Sequence, residues 1–278
     1  MTRYANRLIS SLLTAALVAV AGCSKDSNNG PIPPAFIDET LADDIAQHVG
    51  MTLATDNGGW VLGLTAEPAT VPAQLAQTVG AHLSRATHAL RDTTFTVAGV
   101  TWSIADTFFT AADAPQGDYD PVTSVRMSLM SFGAGDMIHP QFNAHFKHRI
   151  RVGAGSLSAT QDTLTFAGTS RDSSRSWLTS AIGTGSGAFR RMLCVGDLVW
   201  ENVATLKGQP SDAPPVDGFA TCLYQAYRYS NADTTKVEKS ATDVTVLIAF
   251  DGSTTVTMQV GNTYEYLVNL RTGAVTKL

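Results

Sequence analysis

Alternating apolar and polar residues near the C-terminus predict a run of antiparallel strands. Two turn signals, Asp251-Gly252 and Gly261-Asn262, divide this stretch into three alternating segments of seven residues each. Alternation with a period of two gives each strand one apolar and one polar face, as in a meander with one buried side. The residues predicted to form the apolar face are Val246, Ile248, Phe250, Val256, Met258, Tyr266 and Val268.

Similar runs rich in Thr, Val and aromatic residues occur upstream of this meander. They lie at 93–98, 100–111, 122–132, 143–153, 163–170, 174–182, 187–195 and 218–231. About twelve antiparallel strands with one apolar face rarely form a flat open sheet. We therefore predict a mainly β fold, in which a large antiparallel meander curls into a barrel or half-barrel or folds into two layers.

The first part of the chain has a helical pattern instead. Two helices are predicted, at about 36–54 and 71–91, from apolar residues that recur every three or four positions. Asp56-Asn57-Gly58-Gly59 ends the first helix, and Thr70 with Pro72 marks the start of the second. We expect both helices to pack on the concave apolar face of the sheet.

The N-terminus resembles the signal of a bacterial lipoprotein. Arg3 and Arg7 precede an apolar stretch at 8–20 that is too short to span a bilayer, and Val20-Ala21-Gly22-Cys23 matches a lipobox. The resemblance implies removal of residues 1–22, acylation of Cys23, and a stable anchor in the bilayer of the cell envelope. The residue that follows the cysteine, Ser24, implies sorting to the outer membrane. The alternative is an ordinary secretory signal with a chance cysteine.

Residues 23–34 are predicted to be a lipidated tether. The segment from Ser24 to Pro34 is polar and then proline-rich, without apolar periodicity. Its eleven residues reach at most about 40 Å when fully extended. Residues 35–278 are then expected to form a single β-rich domain.

Composition limits the kinds of partner that the chain can bind and indicates the redox state of its cysteines. The net charge of −5 becomes −7 when Arg3 and Arg7 leave with the signal, so nucleic acid is a poor candidate partner. With 44% hydrophobic residues, the chain has enough apolar material for a real core. The other two cysteines, Cys194 and Cys222, are predicted to form a disulfide in an oxidising compartment, with two buried free thiols as the alternative.

Three histidines near Asp136 are the strongest metal-site candidate, and their spacing argues against it. Strand alternation places His148 on the apolar face and His145 on the opposite face, so these two side chains cannot share an ion. His145 lies beside three cations, Lys147, Arg149 and Arg151. We interpret this basic row as a solvated outer face, with an anionic headgroup or polysaccharide as the alternative partner. No metal or cofactor is predicted.

Other motifs also lack the spacing that their chemistry requires. The aspartates of the 113–121 loop do not have the ligand positions of an EF-hand. Glycine-rich 183–187 has no following Lys-Ser/Thr and does not match a nucleophile elbow. No catalytic residue is therefore assigned. The tryptophans and tyrosines are interpreted as core, with a ligand pocket as the alternative.

Three functional hypotheses follow. The predicted architecture is similar to the half-barrel carriers that ferry lipids or lipoproteins across the periplasm, which implies a non-enzymatic binding or carrier domain for an apolar or amphiphilic ligand. The alternative is a structural or protein-interaction lipoprotein whose core is filled by its own side chains. An enzyme without a locally visible motif comes third. An empty apolar cavity favours the first hypothesis, and a packed interior with an exposed aromatic patch favours the second.

Overall fold

The computed structural model describes residues 37–59, 91–116, 120, 122–155, 163–179, 181–183, 186–206 and 213–278. The chain divides into Met1–Pro34 and Ala35–Leu278, and all described residues belong to the second unit. The predicted signal, Cys23 and the tether lie outside the described residues. The second unit has an extended hydrophobic core of its own, so we expect it to fold without the first.

Among the described residues, twelve antiparallel strands form one sheet, which confirms the mainly β prediction. The strands follow one another across the sheet in chain order, except that the short β3 pairs only with β2. Their bounds are β1 Arg91–Val97, β2 Val100–Thr110, β3 Pro115–Gln116, β4 Ser124–His139, β5 Phe142–Gly155, β6 Thr163–Thr179, β7 Phe189–Leu206, β8 Asp217–Tyr229, β9 Val237–Ala249, β10 Thr255–Val260, β11 Tyr264–Asn269 and β12 Val275–Lys277.

The sheet is strongly curved, but its described strands do not close into a barrel, so the barrel alternative is wrong. The path of paired strands begins at β1 and ends at β12, and these two strands do not pair. Residues 55–59 contact both ends of the sheet. The Thr55 amide donates to the Leu270 carbonyl at 3.0 Å, and Trp102 Nε1 on β2 donates to the Gly58 carbonyl at 2.8 Å. Thr55 and Gly58 are three peptide units apart, a distance of at most about 11 Å. The sheet therefore curves far enough to bring β2 close to the end of β11.

One helix, α1 (Glu39–Leu53), occupies the concave side of the sheet and confirms the helix predicted at 36–54. Asp38 caps it by accepting a hydrogen bond from the Leu41 amide, and a 3₁₀ turn at Thr55–Asn57 follows it. It is the only α-helix among the described residues. The helix predicted at 71–91 lies outside them, apart from Arg91, which begins β1.

Around Gly50, in its second half, α1 packs too closely against the sheet for a ligand to lie between them. Every helix residue from 41 to 53 is buried. A Cβ atom added to Gly50 would lie 2.6 Å from Val275 Cγ2 and 2.8 Å from the Gly273 carbonyl oxygen, so only glycine fits there. The apolar face predicted from the C-terminal meander is confirmed. Its seven residues, Val246, Ile248, Phe250, Val256, Met258, Tyr266 and Val268, are all buried in the core.

Buried ion pairs tie the first half of α1 to strands far away in sequence. Arg228 Nη1 on β8 donates to Asp44 Oδ2 at 2.9 Å, and Arg190 Nε on β7 lies 3.5 Å from the same oxygen. Burial raises the pKa of Asp44, and Arg228 opposes that rise. On the other side of the helix, Asp43 accepts from the Tyr266 hydroxyl at 2.7 Å and from Lys277 Nζ at 3.0 Å. These partners offset part of the cost of burying two carboxylates in the core.

Candidate functional site

The inner face of β6 is polar in its middle, with buried serines and an aspartate where most inner residues of the sheet are apolar. Four alternate residues of this strand point into the core and are 6% exposed or less. A polar group inside a protein is costly unless a hydrogen-bonding partner accompanies it. This stretch is therefore the first candidate for a built site. Its residues are Ser170, Asp172, Ser174 and Ser176.

His48 of α1 provides the partner for two of these serines. Its Nε2 lies 2.7 Å from Ser174 Oγ, and its Nδ1 lies 3.0 Å from Ser176 Oγ. The imidazole is completely buried, and this burial lowers its pKa from 6.5 to about 4, against a weaker opposing effect of Asp172. The ring is therefore neutral at pH 7, with one nitrogen donating to a serine and the other accepting from a serine.

A second polar contact lies next to Ser174, at the preceding inner position of β6. His148 on β5 is directly opposite Asp172 on β6, and their Nδ1 and Oδ1 atoms are 3.8 Å apart with both side chains fully buried. Burial lowers the pKa of His148, and Asp172 partly reverses that shift. The strand alternation correctly placed His148 on the inner face.

Aromatic rings enclose this pair from both sides. Gly133 lies opposite His148 on β4, and Gly196 lies opposite Asp172 on β7. A Cβ atom added to Gly133 would lie only 2.7 Å from the Trp102 ring, and one added to Gly196 would lie 2.7 Å from the Tyr224 ring. The two glycines thus let large rings approach the sheet and seal the polar pair from water.

The two cysteines border this region but are not bridged, so the predicted disulfide is wrong. Both are buried free thiols on the inner face. Cys194 on β7 pairs with Ala226 on β8, whereas Cys222 pairs with Leu198, so the cysteines are offset by four residues along the strands. That offset is about 14 Å at ~3.4 Å per residue, twice the Cα separation that a disulfide allows.

Chemically, this enclosed cluster is a poor reaction centre. Burial raises the pKa of Cys194, Cys222 and Tyr224 well above their usual values, so all three stay protonated at neutral pH and the thiols are unreactive. None of the cluster side chains is more than 6% exposed, so a substrate has no access to them. Within the described residues, no group of three or more His, Cys, Asp or Glu side chains is arranged to hold a metal ion.

An open pocket lies where α1 begins. Its volume is about 440 Å³, and Ile37, Asp38 and Leu41 form the helical wall. The other wall is β9, from Lys239 to Val244. Lys239 Nζ donates to Asp38 Oδ1 at 2.5 Å across this space. The volume falls in the range of small-molecule sites.

The outer face of the central strands is the second candidate surface. Large apolar side chains that are 42–46% exposed lie on it beside the basic row of β5. They are Met130 and Phe132 on β4, Trp177 on β6, Phe189 and Val199 on β7, and Leu223 on β8.

The remaining candidates from the sequence are dispersed. His145 is exposed and lies 2.9 Å from Asp136 Oδ1, far from His148 on the opposite face. Asp113 pairs with Arg126, while Asp120 accepts from the Val122 amide at 2.8 Å, so these carboxylates already have partners. Sequence reasoning missed His48 and the β6 serines. The only signal was the interruption of the apolar alternation at 170–176.

Comparisons of the chain with protein-family models, with curated proteins and with solved structures found no match. Among the described residues, no helix is long and apolar enough to cross a membrane.

Proposed function

We propose that the chain is a lipoprotein of the bacterial envelope, anchored in the outer membrane through acylated Cys23. We further propose that its β-rich unit binds another envelope component at its outer sheet face. The observation that supports this reading is the packed interior. The sheet encloses its own helix: no side chain would fit between Gly50 and β12, and Ser174 and Ser176 of β6 are hydrogen-bonded to His48. A unit that fills its concavity in this way has its outer surface left for recognition.

The anchor is tested by replacing Cys23 with alanine. Without the thiol there is no atom to carry diacylglycerol, so the variant should not incorporate a fatty-acid probe and should not be cleaved after Gly22. Metabolic labelling in a bacterial host, with Cys194→Ala as the matched cysteine control, measures this. Equal labelling of Cys23→Ala and the wild type would refute the anchor.

The outer face is tested by photo-crosslinking. A photoreactive phenylalanine analogue at Phe132 or Leu223 should capture an envelope component, because both side chains are large, apolar and exposed. Thr255 and Thr257 on β10 are exposed positions of the same sheet outside the apolar area and serve as matched controls. Crosslinks from the controls but not from Phe132 or Leu223 would refute the proposal.

The pocket at the start of α1 favours a carrier for an amphiphilic ligand as a second candidate. It combines buried Leu41 and Val244 with the Asp38–Lys239 ion pair, which suits a ligand with an apolar body and a polar end. The variant Ala241→Trp should fill this space and abolish binding of a fluorescent fatty acid. A wild type that binds no probe would eliminate this candidate.

A further inference from the structure

The outer face of β5 carries a row of cations in the middle of the sheet. Lys147, Arg149 and Arg151 are alternate, exposed residues of this strand, about 7 Å apart. Arg171 and Arg175 lie on the same face of the adjacent strand β6. We call these five residues the basic face.

Most of this positive charge is not neutralised within the described residues. Arg171 Nη1 lies 3.1 Å from Asp197 Oδ1, but the other four cations have no described carboxylate within 4.0 Å. Arg149 and Arg171 stand directly opposite each other on adjacent strands, an arrangement that destabilises a sheet. In a chain with a net charge of −5, this concentration calls for an anionic partner.

Protection of a sheet edge does not explain the row. Lysine and arginine on an edge strand prevent pairing with other chains. However, β5 pairs with β4 on one side and with β6 on the other, so all three cations lie in the sheet interior. The row is exposed on the outer face, as the sequence predicted, but its suggested role in discouraging edge pairing is wrong.

Apolar side chains lie around these cations. Met130 is directly opposite Arg151, and Phe132 is directly opposite Arg149. Trp177 follows Arg175 on the same face of β6. Aromatic and apolar side chains next to cations are typical of protein surfaces that contact lipid headgroups, since the rings enter the interface while the cations bind phosphate.

We propose that the basic face docks onto the anionic phosphate headgroups of the membrane that holds the anchor. This inference rests on the proposed function, because it needs Cys23 lipidation and a working outer face. A tether of eleven residues keeps the domain within about 40 Å of that membrane, so the headgroups are always near. Phosphate oxygens then neutralise the cations that lack a carboxylate partner.

The test uses the chain from Ser24 to Leu278, which keeps the whole folded unit and lacks the lipidated cysteine. Its binding is measured by co-sedimentation with phosphatidylcholine vesicles, with and without phosphatidylglycerol. Each cation near an anionic surface contributes about fivefold in affinity, so Arg149→Gln/Arg151→Gln should bind about 25-fold more weakly. The matched control Lys236→Gln/Arg271→Gln removes the same charge from exposed positions elsewhere and should bind like the wild type.

Binding only to the phosphatidylglycerol vesicles, lost at high salt and in the Arg149/Arg151 variant, would support the inference. Equal binding of the variant and the wild type, or no vesicle binding at all, would overturn it. So would binding to an anionic polysaccharide but not to vesicles. If photo-crosslinks from Phe132 to a protein persist while vesicle binding is absent, the proposed function stands and the headgroup inference alone fails.

Discussion

Acidification should destabilise this protein through His48, whose imidazole is buried between α1 and β6. The folded-state pKa is about 4, compared with an ordinary value of 6.5. Between these two values the unfolded chain binds a proton that the folded protein rejects. The contribution of neutral His48 to the free energy of unfolding is therefore complete above pH 6.5 and is lost progressively as the pH falls to 4.

The size of this effect follows from the two pKa values. The difference between 6.5 and about 4, at ~1.4 kcal/mol per pH unit, amounts to about 3 kcal/mol of unfolding free energy. Buried His148 adds to the loss in the same direction, because burial lowers its pKa too. A comparison of the wild type with a His48 variant separates the two contributions.

The measurement is urea unfolding of the Ser24–Leu278 chain between about pH 7 and about pH 4. His48→Gln is less stable at neutral pH, since one amide cannot serve both serines, but its stability should decline by about 3 kcal/mol less on acidification. Exposed His139 provides the control, and His139→Gln should keep the wild-type pH dependence. An equal decline in His48→Gln and the wild type would refute the reasoning.

Three further predictions concern the core. Cys194 and Cys222 should react with a thiol reagent only after unfolding, and an unfolded, unreduced sample without free thiols would contradict the register. The variant Met258→Trp should lose about 1–3 kcal/mol in thermal unfolding through overpacking, whereas unchanged stability would indicate free space beneath the helix. Asp44→Asn and Arg228→Met should each cost about 3–5 kcal/mol, because each leaves a buried partner, and the double variant should cost clearly less than their sum. Additive costs would mean that the pair is not coupled.

The alternation of apolar residues was sufficient to predict most strands and their inner faces. It placed Met258, Tyr266 and His148 correctly, because a residue's face in a strand depends only on whether its position is odd or even. It was insufficient at β6. There the predicted runs at 163–170 and 174–182 belong to one strand, Thr163–Thr179, whose middle appeared to be a turn because its inner residues are serines and an aspartate.

The disulfide prediction failed for a different reason. Two cysteines in an exported chain indicate a compartment in which a bridge can form, but the geometry depends on the register of two strands. That register is fixed by all of their residue pairs, and sequence spacing alone does not reveal it. The partners of α1 were equally hidden, since Asp44 binds Arg228, 184 residues further along the chain.

The polar residues of α1 and β6 also determine how the helix is rotated in the sheet. An apolar helix in an apolar concavity can rotate about its axis at little cost, because dispersion contacts are not directional. Here His48 must face the serines of β6, while Gly50 must face β12, where no side chain fits. A rotation by one residue, about 100°, would leave His48 without its partners and press the Val49 side chain or another large group against β12. Hydrogen bonding of His48 to Ser174 and Ser176 and close packing at Gly50 therefore select the same orientation of the helix.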